Sequence, residues 1–469
     1  MIKTSRIQNV RNNSSNGELL RALSLRDLII YGLILVEPVA ALSIFGHANH
    51  TSNGHAVTTI LIAMIAMIFT AISYGKMARR YPVSGSAYTY VGKGLHPYLG
   101  FIVGWSMFMD YLLFPIICTI FSSITSNHML PFIPYSFFIF IYIILFTTIN
   151  LNGIKMASEA NKVILVIMSV VVFYFMSAAI RYIFLKNGFA GLFSTKPIYD
   201  PSTFSWGAIA TGTALTAVTY IGFDGITTLA EEVKKSKRNV MIIAMVLTCV
   251  ITGIWSAMQI YLAHLSWPDF IAQTMSLPDA TAQNDALDTA ILKVANRVGG
   301  ALLDGSLSFV LLVGMIGSGS AGQLGASRLL YAMGRDGVIP KKIFGHLDKK
   351  HSSPNYNILI IGFLALIGSL LLNFENAAWL LNFGAFLAFM SVNVASMFEY
   401  YFKSPVKSMK GFFLHFIPSA LGFIFCLMIW INLPLKTFIV GGIWVFIGLI
   451  YLAFLSKGFR HKNLNIQFN

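Results

Sequence analysis

The chain has 469 residues, 56% of them hydrophobic and only 11% charged, and its mean hydropathy is +0.71. Soluble domains carry roughly 25% charged residues, and the polar gaps here are too short to hold a domain of ordinary size, so composition excludes a soluble fold and predicts a polytopic membrane protein. The formal net charge of +15 is then read as basic loops beside an anionic leaflet, not as a nucleic-acid surface.

Met1 to Asn16 is polar and basic without an apolar core, so residues 1–25 are expected to form a cytoplasmic tail and not a cleaved signal. The first apolar run, Leu28–Gly46, should cross the membrane, yet it contains Val36-Glu37-Pro38 and ends in glycine. Proline removes a backbone donor, and a charge at the bilayer centre costs about 2.5–3.5 kcal/mol on insertion scales. Such a stretch survives at membrane depth only as a broken helix against protein or a polar cavity. After a polar patch, His47 to His55, the second span is expected over Val57–Met77. Tyr81–Pro97 reads as a half-buried elbow, and spans three to five follow over Leu99–Ser123, Phe132–Leu151 and Ala160–Phe184.

The second half opens on another interrupted run, Trp206–Ala230, with Gly222 and Gly225 around Asp224. The seventh span is expected over Val240–His264. A long linker comes next, and in it Ala286–Val298 reads as a surface helix. Spans eight to twelve are expected over Leu302–Met333, Ile358–Asn373, Ala378–Tyr401, Phe412–Asn432 and Phe438–Leu455, the eighth long enough to tilt. This gives an all-α protein of about twelve transmembrane helices, each near the ~20 residues a bilayer requires.

Lysine and arginine concentrate in the loops after spans two, four, six, eight and ten: Arg79 and Arg80, Lys155, Lys234 to Arg238, Lys341 to Lys350, and Lys403 to Lys410. Lys186 and Lys196, after span five, depart from that trend. The bias puts both termini in the cytoplasm of a bacterial cell membrane. Each half starts with a broken helix and separates its second and third spans by a non-spanning linker. The expected organisation is therefore a first five-helix repeat over 26–186, an inverted second repeat over 204–402, two further helices over 411–456 and a tail over 457–469. Two broken helices in corresponding places are the best sequence pointer to a transporter's binding site.

Several strings together resemble the amino acid–polyamine–organocation permeases, over about residues 20–455. They are Phe69 to Lys76 running into Pro82 to Tyr90, Val103-Gly104-Trp105 before Asp110-Tyr111, Gly222-Phe223-Asp224 before Glu231-Glu232, and Ser327 to Gly337. The chain looks most like the branch with bacterial proton-coupled putrescine importers and amino acid permeases. That resemblance implies alternating access with the solute between the first and sixth helices. Amino acid members typically carry a Gly-x-Gly-like string in the first break, where this chain has Ala41-Leu42-Ser43. The putrescine importers carry an acid where this chain has Ser43, which weakens a diamine reading. Some proton-coupled members have a fifth-helix lysine, and Met168 aligns there.

From this follow the candidate residues. The substrate contacts are expected at Ala40, Ala41, Leu42 and Ser43 of the first break and at Tyr220, Gly222 and Phe223 of the second, where half-helix N-termini offer amides. Tyr220 and Phe223 fit either aromatic lids or packing. Glu37 fits proton coupling, since burial disfavours a carboxyl group's charged form; it also fits a counter-ion for a substrate amine, or a structural acid at the kink. Asp110 fits proton coupling or a helix–helix hydrogen bond. Asp224 fits a gate or, better, an N-cap on the second half-helix. Ser318 and Ser320 could offer oxygens to sodium, although small residues at helix contacts are the ordinary explanation. Arg79, Arg80, Arg328 and Arg335 read as topology signals and gate pairs. Cys118, Cys249 and Cys426 lie in apolar runs without metal spacing and read as small core hydrophobes.

No enzyme motif and no phosphate-binding glycine–lysine loop is present, so transport must draw on an ion gradient or exchange. No cofactor or metal is expected; the proton is the expected coupling ion, with sodium second. The partners are a small amino acid or amine and the lipid bilayer. The function expected is a secondary active transporter, a proton symporter, for amino acids or related amines that works by alternating access. A polyamine importer or an exchanger is the alternative, and a non-transporting sensor the remote one. A channel would show pore-lining polar rings or repeated filters, and none is visible.

Overall fold

The computed structural model describes residues 24–37, 39–83, 85–152, 158–233, 239–348, 353–405 and 407–456. Among them the secondary structure is wholly helical. Eight helices are long and apolar enough to cross a membrane, and a ninth span is the bent pair Leu25–Ser43 and Phe45–Thr51. Two apolar helices of 17 residues, Tyr135–Leu151 and Asn355–Leu371, and the segmented run from Trp206 to Glu232 bring the total to the expected twelve.

In chain order, span 1 comprises Leu25–Val36, Ala40–Ser43 and Phe45–Thr51, and span 2 is Ala56–Arg80. Spans 3, 4 and 5 are Pro97–Met129, Tyr135–Leu151 and Ser158–Asn187. Span 6 comprises Trp206–Thr216, Ala217–Tyr220 and Phe223–Glu232, and span 7 is Asn239–Ser266. Span 8 lies in Ala290–Arg335, span 9 is Asn355–Leu371 and span 10 is Phe374–Phe402. Spans 11 and 12 are Met409–Ile431 and Leu435–Leu455.

Span 1 starts at a capping box: Ser24 accepts from the Asp27 amide while the Asp27 carboxylate accepts from the Ser24 amide. Span 2 packs on span 7, and span 3 on span 8. The second and third spans of the first half thus meet the seventh and eighth of the second. Spans 3 and 10 are the most enclosed, whereas spans 5, 11 and 12 present apolar faces outward. Between apolar helices there is little hydrophobic drive in lipid, so small residues and side-chain hydrogen bonds hold the contacts. Asn382 in span 10 donates to the Ala214 carbonyl of span 6 at 2.7 Å, Asn393 to Thr70 at 3.1 Å, and Asn150 to the Ser320 carbonyl at 3.0 Å.

Four expectations change. The expected polar patch after span 1 is largely helical, because Phe45–Thr51 continues the span after a 63° bend. The elbow after span 2 contains a helix, Ser86–Gly94, that is almost wholly buried. Tight glycine contacts explain this: a Cβ at Gly100 would stand 2.6 Å from the Gly92 Cα, and one at Gly104 would stand 2.6 Å from the Tyr88 ring. The linker after span 7 forms Phe270–Met275 and Ala280–Asp288. The expected surface helix is split at Thr289, and its second part, from Ala290, buries Ile291, Leu292, Val294 and Ala295. Gly300, at φ 66°, then turns the chain into span 8.

Candidate functional site

Both interruptions are real and meet at one place. Span 1 stops at Val36, and Glu37 adopts φ 60° and ψ 127°. The ψ is usual before proline but the φ is not, and a non-glycine residue held there costs about 1–3 kcal/mol. Pro38 lies outside the described residues. In span 6, helix ends at Thr216, a tighter turn follows to Tyr220, Ile221 is extended, and Gly222 takes φ 113° before the second segment begins.

A small cavity of about 50 Å³ lies between them. Glu37, Ala40 and Ser43 line it from the first break and Val218, Thr219 and Ile221 from the second. Phe114, Ile117 and Cys118 of span 3, Met315 and Ser318 of span 8, and Phe374 and Leu381 of span 10 complete the wall. At roughly 10–15 Å³ per water, this volume holds a few waters and no organic solute.

The Glu37 carboxyl group is the polar centre. Ser318 Oγ donates to its Oε1. A Cβ at Gly314 would stand 3.2 Å from Glu37 Oε2 and 2.6 Å from the Met168 ε-methyl. Glu37 and Met168 therefore crowd the same face of span 8, which is open only because residue 314 is glycine. Among the described residues, no lysine, arginine or histidine lines the cavity. Thr219, 1% exposed, has a hydroxyl with no hydrogen-bond partner.

The remaining predicted residues sit elsewhere. Ala41 and Leu42 are fully buried and off the cavity wall. The Ala40 and Leu42 amides already donate to the carbonyls of Glu37 and Val39, at 3.3 and 3.0 Å. Tyr220 points away, donating its hydroxyl to the Ile60 carbonyl at 2.8 Å. Phe223 packs on Tyr74 and Phe389, with ring centroids 5.6 and 5.3 Å apart. Gly222 backs onto span 1, where a Cβ would stand 3.0 Å from the Leu35 carbonyl oxygen. Gly222, not Asp224, is the N-cap: only glycine takes that φ without strain, so the acid falls inside the first turn. Its carboxylate lies against the amides of Gly222, Asp224 and Gly225. Asp110, in span 3, is buried. Ser320 Oγ donates to the Ile316 carbonyl at 2.7 Å.

Sequence reasoning missed Thr219 as a wall residue, although a hydroxyl inside the interrupted string was the available signal. It also treated Cys118 only as core; helix rotation decides that, and hydropathy does not carry it. At the basic end, Arg80 pairs with Glu399 at 3.0 Å, Lys403 with the same carboxylate at 2.9 Å, and Arg79 bonds Asn239 at 2.8 Å. Arg335 pairs with Asp336 at 3.3 Å.

Comparison with known proteins identifies the relatives of this chain. The amino acid permease family matches residues 28–455. The low-affinity putrescine importer PlaP of Escherichia coli (strain K12) is 35% identical over 456 residues, covering 97% of each chain. The branched-chain amino acid permease BcaP of Bacillus subtilis (strain 168) is 26% identical over 485 residues, 96% of each chain. A methylthioribose transporter of the same organism is 24% identical over 476 residues, again 96% of each. With its twelve spans, two interrupted helices and near full-length match, the chain is a membrane transporter and not an enzyme, and it belongs to the amino acid permease family.

Proposed function

We propose that this transporter is a proton-coupled symporter of small organic amines, amino acids among them, in the bacterial cytoplasmic membrane, working by alternating access with both termini and its basic end in the cytoplasm. The observation that carries the reading is a carboxyl group, Glu37, in a cavity built by both breaks and lined, among the described residues, by no other acid and no basic side chain. An ammonium group is its natural complement, because a buried charge needs a paired and hydrogen-bonded partner. The amides expected to cradle a substrate carboxylate are largely spent: Ala40 and Leu42 donate within the chain, and Asp224 covers those around Gly222. That favours a diamine or polyamine over a zwitterion, in line with the printed function of the 35% identical relative.

Glu37 supplies the coupling group in this reading. It occupies the face of Gly314 next to Met168, where the family resemblance puts a lysine in other proton-coupled members. In symport the proton and the solute are aboard together: the protonated Glu37 carboxyl still accepts an ammonium N–H through its carbonyl oxygen, and it gives up its proton on the cytoplasmic side as the solute leaves. Sodium is the weaker reading, since the Ser318 and Ser320 hydroxyls are directed to Glu37 and to Ile316.

The test is counterflow in proteoliposomes with a panel of putrescine, cationic amino acids and zwitterions. Putrescine exchange above the zwitterions is expected. Exchange of branched-chain amino acids without putrescine would overturn the amine preference, and absence of all counterflow would overturn alternating access.

A further inference from the structure

The seam between spans 5 and 8 carries a groove of about 430 Å³, far larger than the Glu37 cavity. Ile167 and Val171 line it from span 5, and Leu302, Gly305 and Phe309 from span 8. Leu302 and Phe309 are 72% and 58% exposed, and a Cβ at Gly305 would meet nothing within 4 Å. Both helices are long and apolar enough to cross a membrane, so the groove opens onto acyl chains and not onto water.

A basic and aromatic cluster stands at one end of the same seam. Arg297, just before the Gly300 turn, donates from Nε to the Tyr182 hydroxyl of span 5 at 2.9 Å. Its guanidinium lies 5.2 Å from the Trp267 ring and 6.0 Å from the Tyr182 ring, and Lys186 Nζ lies 5.9 Å from the Tyr182 ring. Among the described residues no carboxylate pairs with either cation. Asp304, the nearest acid along the chain from Arg297, is held by His128 at 3.2 Å and Asn296 at 3.3 Å. Tyr182 follows Val171 by eleven residues, about three turns, so both stand on one face of span 5 about 16 Å apart. That is about half of the ~30 Å hydrocarbon core, the depth of one leaflet. Tyrosine and tryptophan are the residues that sit at headgroup level.

We propose that Arg297, Lys186 and the groove hold an anionic phospholipid in the leaflet away from the Arg79–Arg80 end, its phosphate on the two cations and one acyl chain between spans 5 and 8. With Nε given to Tyr182, the guanidinium keeps both terminal amino groups for phosphate oxygens. Lys186 adds a second positive charge on the same ring. A zwitterionic headgroup brings its own cation toward these two, so a net-negative headgroup is preferred. Lipid tails are as apolar as the groove wall, so the chain gains little from burial alone; the cations select the lipid and the groove fixes where it lies. The same contact gives a role to Lys186, a base outside the loops where the other bases concentrate.

The test is native mass spectrometry of the purified full chain, with monodispersity checked by size exclusion, titrated with dioleoyl phosphatidylglycerol or dioleoyl phosphatidylcholine. Wild type should retain one phosphatidylglycerol at least fivefold more tightly than phosphatidylcholine. Arg297→Gln should bring the two lipids within twofold of each other, and Lys186→Gln should cut the preference two- to threefold. Gly305→Phe fills the groove and leaves both cations in place; it should weaken phosphatidylglycerol at least threefold. Equal retention of the two lipids by wild type, or an undiminished preference in Arg297→Gln, overturns the proposal. Displacement of the lipid by an equal concentration of sn-glycerol 3-phosphate, a headgroup without chains, also overturns it, because the groove would then have no part. Should Arg297→Gln fail to stay monodisperse, Lys186→Gln and Gly305→Phe decide the matter, and wild-type retention in both overturns the site.

Discussion

The two interrupted helices solve one problem by different means. At the second break a glycine takes the positive φ, and the acid sits two residues on, against backbone amides. At the first break the acid itself takes the positive φ, and its side chain is held by Ser318 of another helix. One break separates backbone geometry from charge, and the other fuses them in Glu37. Strain at a non-glycine residue persists only where the surroundings over-determine it, and here the surroundings are the Gly314 face, Met168 and Ser318. The lesson is that the two acids are not equivalent copies: Glu37 faces the cavity between the breaks, while Asp224 lies off its wall against backbone amides.

This contrast can be broken by substitution. The largest effect is expected at the second break. Gly222→Val puts a branched side chain at φ 113°, against the Leu35 carbonyl. Transport should fall more than 100-fold and the protein should lose thermal stability, as read by uptake and by a melting scan. Glu37→Gly is the matching test at the first break: glycine relieves φ 60°, so stability should hold or rise by up to about 1 kcal/mol, while gradient-driven uptake is lost. Normal uptake by that variant would mean the backbone, and not the carboxyl, matters at residue 37.

Smaller effects sharpen the same comparison. Ser318→Ala removes the donor to Glu37, and a hydrogen bond to a charged group is worth about 1.5–3 kcal/mol. The pH dependence of uptake should shift, with a three- to tenfold drop in rate; an unchanged pH profile would detach Ser318 from Glu37. Thr219→Val keeps the shape and removes an unpartnered hydroxyl. A change in KM of two- to threefold with kcat unaltered is expected if that hydroxyl meets the solute, and no change would assign it to packing.

Much of the frame was legible because apolar length and charge bias act over whole helices: twelve spans, both breaks and the paired linkers follow from patterns some twenty residues long. The misread pieces are short. His47 to Thr51 looks like a polar loop, yet it is helical because His47 is met by Asp288 at 2.7 Å across the fold. No local pattern encodes that partner. The site was legible as two strings but not as side chains. Which of Ala40 to Ser43 faces the cavity depends on helix rotation, and Thr219 gained its place over Tyr220 and Phe223 through the tight turn before Gly222.

The central claim is that Glu37 couples the proton to the solute held between the two breaks. Its most direct test is putrescine uptake into proteoliposomes under an imposed inward proton gradient, comparing wild type with Glu37→Gln. Wild type should accumulate putrescine above equilibrium, and the variant should exchange it without accumulating it, at least tenfold lower. Accumulation by Glu37→Gln equal to wild type, with the same pH dependence, would contradict the account.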